Sequence, residues 1–316
     1  MHLPDGFLSA GVSGAMAVAS GSAVVVALRH AEPRDDESTA PTERGRATVM
    51  MGVVAAFVFV AQMVNFPVSG GTSGHLLGAA LATALVGPWR AVLVMAVVIG
   101  LQAFIFADGG VAALGANLFN MGVAGCLVSG VVLGLVGGDR QRRKLGLAAA
   151  AWLSVMLGAA LTAVQIGISG RVPLGVVLPA MLSVHAIIGL GEALVSVAAW
   201  SLLVGARPDL VRAERETGGE PWRLAVALAL GLALVPLASR LPDGLESVAE
   251  QKGFAAAAAP AQAAPLPDYA LPGREVQGFD ALGTYLSAVV GMAACAGLMM
   301  LVGLARRRRP LEAPSS

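Results

Sequence analysis

Long apolar runs separated by short polar segments dominate the chain. A hydrocarbon core about 30 Å thick needs about 20 apolar residues per helix. Nine runs approach that length, near 8–28, 47–64, 75–89, 91–107, 111–137, 145–169, 173–205, 223–239 and 280–304. The pattern predicts an all-α polytopic membrane protein.

Two polar stretches divide the predicted helices. Residues 29–46 form a charged loop after the first helix, and residues 206–222 form a second one that has the composition of a domain boundary. We therefore predict a seven-helix bundle at 1–205 and a cytoplasmic linker at 206–222. A C-terminal two-helix unit at 223–316 follows, with an extracytoplasmic segment at 240–279.

The distribution of positive charge predicts the orientation. With the N-terminus outside, 17 of the 21 lysines and arginines lie in cytoplasmic segments, as the positive-inside rule requires. The C-terminus is then cytoplasmic. Residues 1–28 contain no lysine or arginine, so they lack the charged start of a secretory signal peptide. We expect Met1 to remain the N-terminus, on the outer side.

Composition excludes several classes of function. Hydrophobic residues make up 56% of the chain and charged residues 13%, and the net charge of +1 offers nothing to a nucleic acid. Neither GxxxxGK[ST] nor HExxH occurs, so the chain is neither its own P-loop ATPase nor a zinc protease. Cys126 and Cys295 form no CxxC pair and are predicted to be small buried residues. We predict a protein that is not an enzyme and whose surroundings are membrane lipid.

The first two residues suggest a metal site. The amine of Met1, the amide nitrogen of His2 and the imidazole of His2 can form successive chelate rings with Ni(II) or Cu(II), because such nitrogen donors suit late first-row metals. A fourth donor is then needed, and His75 lies on the same side of the membrane in the predicted topology. A histidine near a terminus can also be accidental, but the pairing with His75 favours a metal site.

The segment before His75 is rich in glycine and polar residues. Irregular backbone at membrane depth normally lines a cavity, so this segment can re-enter the bundle and hold His75. A plain turn is the alternative. The candidate supporting residues are Asn65, Thr72 and Ser73.

Buried ionisable residues form a further group of candidates. His185 and Glu192 are seven residues apart and share a helical face, and ionisable groups inside a membrane are functional hypotheses by default. Asn117 and Asn120 are possible partners, and a structural or coupling role is open for all four. Direct metal binding stays open for His185 and Glu192. Gly71-Thr72-Ser73-Gly74 is also a GxSG motif, which leaves an intramembrane serine protease using Ser73 and His185 as an alternative.

Four ordered blocks carry a family resemblance: MHLPDGFLS at 1–9, NFPVSGGTSGHLLGA at 65–79, DGGVAALGANLFNMG at 108–122 and HAIIGLGEALVS at 185–196. They resemble the substrate-capture subunit of cobalt and nickel energy-coupling-factor transporters (CbiM/NikM). The region 240–279, with LPDGLE at 241–246, resembles the small companion subunit (CbiN/NikN, or PDGLE domain).

The resemblance implies a ligand set, a substrate and partners. The ligands are Met1, His2 and His75, and the substrate is Co2+ or Ni2+, captured outside a bacterial cell membrane and released inside. The partners are a transmembrane coupling subunit and two cytoplasmic ATPase subunits. A stand-alone channel or secondary carrier is a competing hypothesis, and the choice between cobalt and nickel stays open.

Overall fold

The computed structural model describes residues 1–31, 41–68, 71–137, 139–206, 241–260, 262–271 and 281–307, with isolated positions between 229 and 239. Ten α-helices and one two-stranded sheet make up most of this part of the chain. They are α1 (Ala10–His30), α2 (Pro41–Met63), β1 (Asn65–Val68), β2 (Thr72–His75), α3 (Ala79–Val86), α4 (Pro88–Phe106), α5 (Leu114–Asn117), α6 (Gly125–Val136), α7 (Arg140–Ile168), α8 (Leu174–Ala206), α9 (Gly244–Lys252) and α10 (Ala281–Arg307).

The predicted helical membrane fold is confirmed. Among the described residues, six helical stretches are long and apolar enough to cross a membrane, and α2 contributes a shorter apolar stretch, Ala47–Met63. Large apolar side chains such as Val18, Leu135 and Leu194 are mostly exposed, as expected for helices that face lipid. The span predicted at 223–239 and the linker at 206–222 lie almost wholly outside the described residues.

The span predicted over 75–89 is wrong. Its helix, α3, has only 8 residues, which at about 1.5 Å per residue extend about 12 Å, less than half of the hydrocarbon core. The preceding stretch is an antiparallel hairpin of β1 and β2 that pairs Asn65 with His75. Apolarity misled the prediction, because the run is apolar but its helix begins only at Ala79 and ends at Val86, before Gly87 and Pro88.

Glu192 accepts hydrogen bonds at the start of α3. Its two carboxylate oxygens accept from the backbone N–H of Leu77 at 2.5 Å and of Gly78 at 2.9 Å. The first N–H groups of a helix have no partner within the helix, and a negative charge is favourable at that end. Glu192 on α8 thus satisfies the beginning of a half-length helix inside the bundle.

The span at 111–137 is interrupted by a π-helical turn, Leu118–Ala124, between α5 and α6. Such turns frequently occur at functional sites. Asn120, in this turn, exchanges two hydrogen bonds with Gln165 on α7, at 2.8 and 2.7 Å. The amide pair ties the turn to α7 within the apolar interior.

The C-terminal unit packs directly on the bundle. Helix α10 lies along α2, and small residues allow the close approach, since Gly291 faces the ring of Phe59 and Gly52 faces Ala296. Cys126 and Cys295 are free thiols and buried, as predicted. Helix α9 and the residues after it cover the end of the bundle that holds Met1 and His75.

Candidate metal centre

The N-terminal segment is buried under the C-terminal unit. Met1, His2 and Leu3 are at most 8% exposed. Asn117 fixes the backbone directly after His2, since its side chain accepts from the N–H of Leu3 at 2.7 Å and donates to the carbonyl of Leu3 at 3.0 Å. The same carbonyl accepts from the N–H of Gly110 at 2.9 Å. These bonds hold the first residues in one position.

The structure brings the three predicted ligand residues together. The amine nitrogen of Met1 lies 2.8 Å from Nε2 of His75. The rings of His2 and His75 stack with their centroids 5.1 Å apart. Nitrogen atoms of residues that are 74 positions apart along the chain thus meet at one buried position.

His75 presents a lone pair to the amine. Its Nδ1 lies 3.1 Å from the carbonyl oxygen of Leu76, and because a carbonyl oxygen only accepts, Nδ1 carries the hydrogen and Nε2 accepts. Metal-ligating histidines commonly donate their other N–H to such a carbonyl or carboxylate. The ring is therefore oriented as a nitrogen ligand requires.

His2 has two polar partners. Its Nδ1 lies 3.1 Å from a carboxylate oxygen of Asp108, and its Nε2 lies 3.2 Å from Oε1 of Gln102. If the neutral ring donates its hydrogen from Nδ1, then Nε2 carries a lone pair and needs a donor. Gln102 supplies one only when its amide nitrogen, and not its oxygen, is turned toward the ring. The other oxygen of Asp108 accepts from the hydroxyl of Tyr269 at 2.5 Å, so the C-terminal unit reaches His2 as well.

Asp243 connects the amine to helix α9. One carboxylate oxygen accepts from the N–H groups of Leu245 and Glu246, at 2.8 and 2.9 Å, and so caps α9. The Glu246 side chain accepts in return from the N–H of Asp243 at 2.9 Å, which completes a capping box. The second oxygen of Asp243 forms an ion pair with the amine of Met1.

Burial sets the protonation of this cluster. Burial lowers the pKa of His2, although Asp108 opposes the shift. Burial, and then the positive amine, lower the pKa of His75 well below its ordinary value. Burial alone would raise the pKa of Asp243, but the neighbouring amine holds it below its ordinary value. Both imidazoles are therefore neutral donors beside an ionised carboxylate.

The hairpin residues predicted as supports take different positions. Asn65 lies opposite His75 in the strand register, and its carbonyl accepts from the N–H of Ser239 at 2.7 Å. Thr72 is buried, and its hydroxyl has no hydrogen-bond partner among the described residues. Ser73 bonds to the C-terminal unit, since its hydroxyl donates to the carbonyl of Leu241 at 2.7 Å.

These contacts contradict the serine-protease alternative. A Ser–His dyad needs the hydroxyl of Ser73 within hydrogen-bond distance of His185. That hydroxyl donates to the carbonyl oxygens of Leu241 and Pro242. The ring of His185 donates from Nδ1 to the carbonyl of Met181 at 2.8 Å, and its Nε2 has no partner in the described part of the chain.

Sequence reasoning missed three residues of the site: Gln102, Asp108 and Asp243. Asp108 and Asp243 each precede a glycine, in DGG and PDG, and such pairs favour turns. The sequence therefore indicates two turns on the outer side. It does not indicate that these two turns meet at the N-terminus.

Side chains alone do not make a metal cluster here. Over the described ranges, no group of three or more His, Cys, Asp and Glu side chains is placed to hold a metal. Main-chain nitrogen atoms are also present at this position. The amine beside His75 and the amide nitrogen of His2 are the main-chain donors available.

Residues 2–210 match the family described as the cobalt uptake substrate-specific transmembrane region, CbiM. The chain belongs to the CbiM family. Residues 222–308 match the PDGLE domain. Membership confirms the resemblance stated from the four blocks and from LPDGLE.

Relatives share both parts of the chain. The putative fused nickel transport protein NikMN of Archaeoglobus fulgidus is 34% identical over 300 residues, which cover 92% of this chain and 94% of that protein. The fused nickel transport protein NikMN of Rhodobacter capsulatus is 31% identical, covering 96% and 98%. A crystal structure of a truncated transition metal transporter is 28% identical, with a TM-score of 0.54, and covers 65% of this chain and 99% of that one.

Proposed function

We propose that this CbiM-family chain is the substrate-specific membrane component of an energy-coupling-factor importer for Co2+ or Ni2+. It captures the ion outside and releases it inside. The observation that carries the proposal is the 2.8 Å separation between the amine of Met1 and Nε2 of His75, in a buried position beside the ring of His2. The fused nickel transport relatives support the same class of substrate.

The separation fits one edge of a square-planar nitrogen site. Metal–nitrogen bonds of about 2.0 to 2.1 Å place adjacent corners of a square about 2.8 to 3.0 Å apart. In this arrangement the Met1 amine, the His2 amide nitrogen and the His2 ring occupy three corners, and His75 takes the corner next to the amine. Imidazole and amide nitrogens in one plane favour Ni(II) and neighbouring late metals.

Capture requires two exchanges at the site. Only Nδ1 of His2 can close a six-membered chelate ring with its own amide nitrogen, and that atom faces Asp108. The amine faces Asp243. The ion therefore replaces Asp108 at the ring and Asp243 at the amine. The amine and the amide nitrogen of His2 each release a proton as they bind. The hydrogen on Nδ1 of His2 moves to Nε2, which lies 3.2 Å from the acceptor Oε1 of Gln102.

The second unit has a supporting role in this proposal. Three parts of this unit contact the N-terminal site. Asp243 pairs with the Met1 amine, and Tyr269 donates to Asp108. The carbonyl oxygens of residues 241 and 242 accept from the hydroxyl of Ser73. The region 240–279 lies outside the cell together with Met1, and the C-terminus is cytoplasmic. A transmembrane coupling subunit and two cytoplasmic ATPase subunits supply the hydrolysis for which this sequence has no P-loop.

Metal analysis tests the proposal. The full chain with its native Met1 is equilibrated with Co(II) or Ni(II), and bound metal is counted by mass spectrometry. We expect one equivalent per chain. In cells, uptake should require the coupling and ATPase subunits. Uptake by this chain alone would instead support a stand-alone channel or secondary carrier.

A further inference from the structure

A small cavity lies beside the N-terminal site, away from His2. It has a volume of about 10 Å³, and its walls include Met1, His75, His185, Val155 and Gly244. That volume is about enough for one water-sized particle. The cavity therefore connects two residues of the proposed ligand set with a histidine to which no role has been assigned.

His185, which lines this cavity, has an unpaired ring nitrogen. The residue is 1% exposed, and its Nε2 has no hydrogen-bond partner among the described residues. Buried polar atoms are usually paired, so an unpaired one needs an explanation. Nδ1 donates to the carbonyl of Met181, which leaves the lone pair on Nε2.

The rings of His75 and His185 are oriented by the same kind of hydrogen bond. Each donates its Nδ1 hydrogen to a backbone carbonyl, of Leu76 and of Met181 respectively. Each lines the cavity. This orientation by a second hydrogen bond is the usual arrangement of a metal-ligating imidazole.

Gly244 controls access to the His185 ring. A Cβ atom at this position would lie 2.9 Å from Nε2 of His185 and 2.7 Å from the side chain of Ile188. Any larger residue at the start of α9 would therefore press on the ring. The carboxylate of Glu192, seven residues further along α8, accepts instead from the N–H groups of Leu77 and Gly78.

We propose that Nε2 of His185 and Nε2 of His75 form an inner binding position for the transported divalent ion. The inference rests on the proposed function and extends it. The ion exchanges the His2 chelate for His185 while it stays bound to His75, and so begins to move along α8 toward Glu192. Two imidazoles with fixed orientation suit the same late first-row metals as the outer site.

The test removes the outer chelate and asks what remains. In full-length His2→Ala, Co(II) binding is measured by titration, alone and combined with His185→Gln. The matched control is His30→Gln, because His30 also donates from Nδ1 to the carbonyl four residues earlier, that of Val26, but is exposed. We expect weak residual binding in His2→Ala that falls by at least about tenfold with His185→Gln and is unchanged with His30→Gln.

Several results would overturn the inner position. Residual binding that survives His185→Gln, or no residual binding in His2→Ala up to millimolar Co(II), would show that the two imidazoles do not form a site. The single variant His185→Gln should slow uptake by the complete transporter, and its circular dichroism spectrum verifies that it is folded. Loss of binding in that single variant would place His185 in support of the outer site instead. Failure of the native chain to bind Co(II) or Ni(II) would refute the proposed function itself.

Discussion

The carboxylate of Asp243 forms an ion pair with the amine of Met1, a residue 242 positions away along the chain. The same carboxylate caps helix α9. The start of the capture domain and the PDGLE motif thus share one charged contact. In the proposed function the Met1 amine binds the metal, and the Asp243 carboxylate competes with the metal for that amine.

Extending the chain by one residue before Met1 should reduce Co(II) or Ni(II) affinity by at least about 100-fold, since loss of a single supporting group at a metal site already costs 10- to 100-fold. The extension moves the free amine away from His75 and converts the nitrogen of Met1 into an amide. Equilibrium titration of the purified protein measures the effect. One residue added after Ser316 is the control and should change nothing. Full affinity in the N-terminally extended protein would exclude the amine as a ligand.

His75→Ala should abolish high-affinity binding and uptake, whereas His30→Ala should leave both unchanged. His75 is buried beside the amine, and His30 lies exposed at the end of α1. Uptake of radioactive metal by cells that contain the complete transporter provides the comparison. Similar defects in both variants would mean that the predicted ligand or the predicted orientation is wrong.

Asp243→Asn should raise the equilibrium affinity for Co(II) severalfold at neutral pH. The carboxylate is ion-paired with the amine and has to be displaced before the amine can bind a metal, while asparagine keeps the ability to cap α9. Glu246→Gln is the matched control, because Glu246 bonds to the N–H of Asp243 and not to the amine. Titration calorimetry measures the Co(II) affinity of both variants. If Asp243→Asn alone lowers the affinity, the carboxylate contributes to metal binding and does not compete with it.

A chain that ends near Arg207 should retain metal affinity but transport poorly when the coupling and ATPase subunits are supplied. The proposed nitrogen ligands all precede that point, whereas Asp243 and Tyr269, which hold the amine and Asp108, follow it. His75→Ala in the shortened chain verifies that the retained binding uses the same site. If truncation itself removes binding, a ligand lies in the second unit.

Metal affinity should fall as the pH is lowered from 8 to 6. Burial keeps the pKa of His2 and of His75 below the ordinary value of 6.5, so both rings are neutral over most of this range. Protons are then released mainly from main-chain nitrogen on binding. Calorimetry in two buffers of different ionisation enthalpy counts them, and we expect at least about one per ion at pH 7. An affinity independent of pH would contradict a main-chain donor.

The sequence supports the ligand prediction because chelate chemistry depends on residues that are adjacent along the chain. Met1 and His2 are neighbours, and His75 follows from its position after a glycine-rich turn. The partners Asp108 and Asp243 depend instead on where two distant turns meet, which local patterns do not encode. Helix α3 illustrates a second limit, because the run around it is apolar throughout, while Glu192, which satisfies the beginning of this half-length helix, lies more than 100 residues away.

Covalent joining of the two units changes the thermodynamics of the contact between Asp243 and Met1. On separate chains, that contact would form by a bimolecular encounter and would weaken as the proteins are diluted in the membrane. On one chain it is intramolecular, with an effective concentration set by the connecting segment. Each capture domain therefore carries its own copy of Asp243, and the ratio of the two units is fixed at one whatever the expression level of the gene.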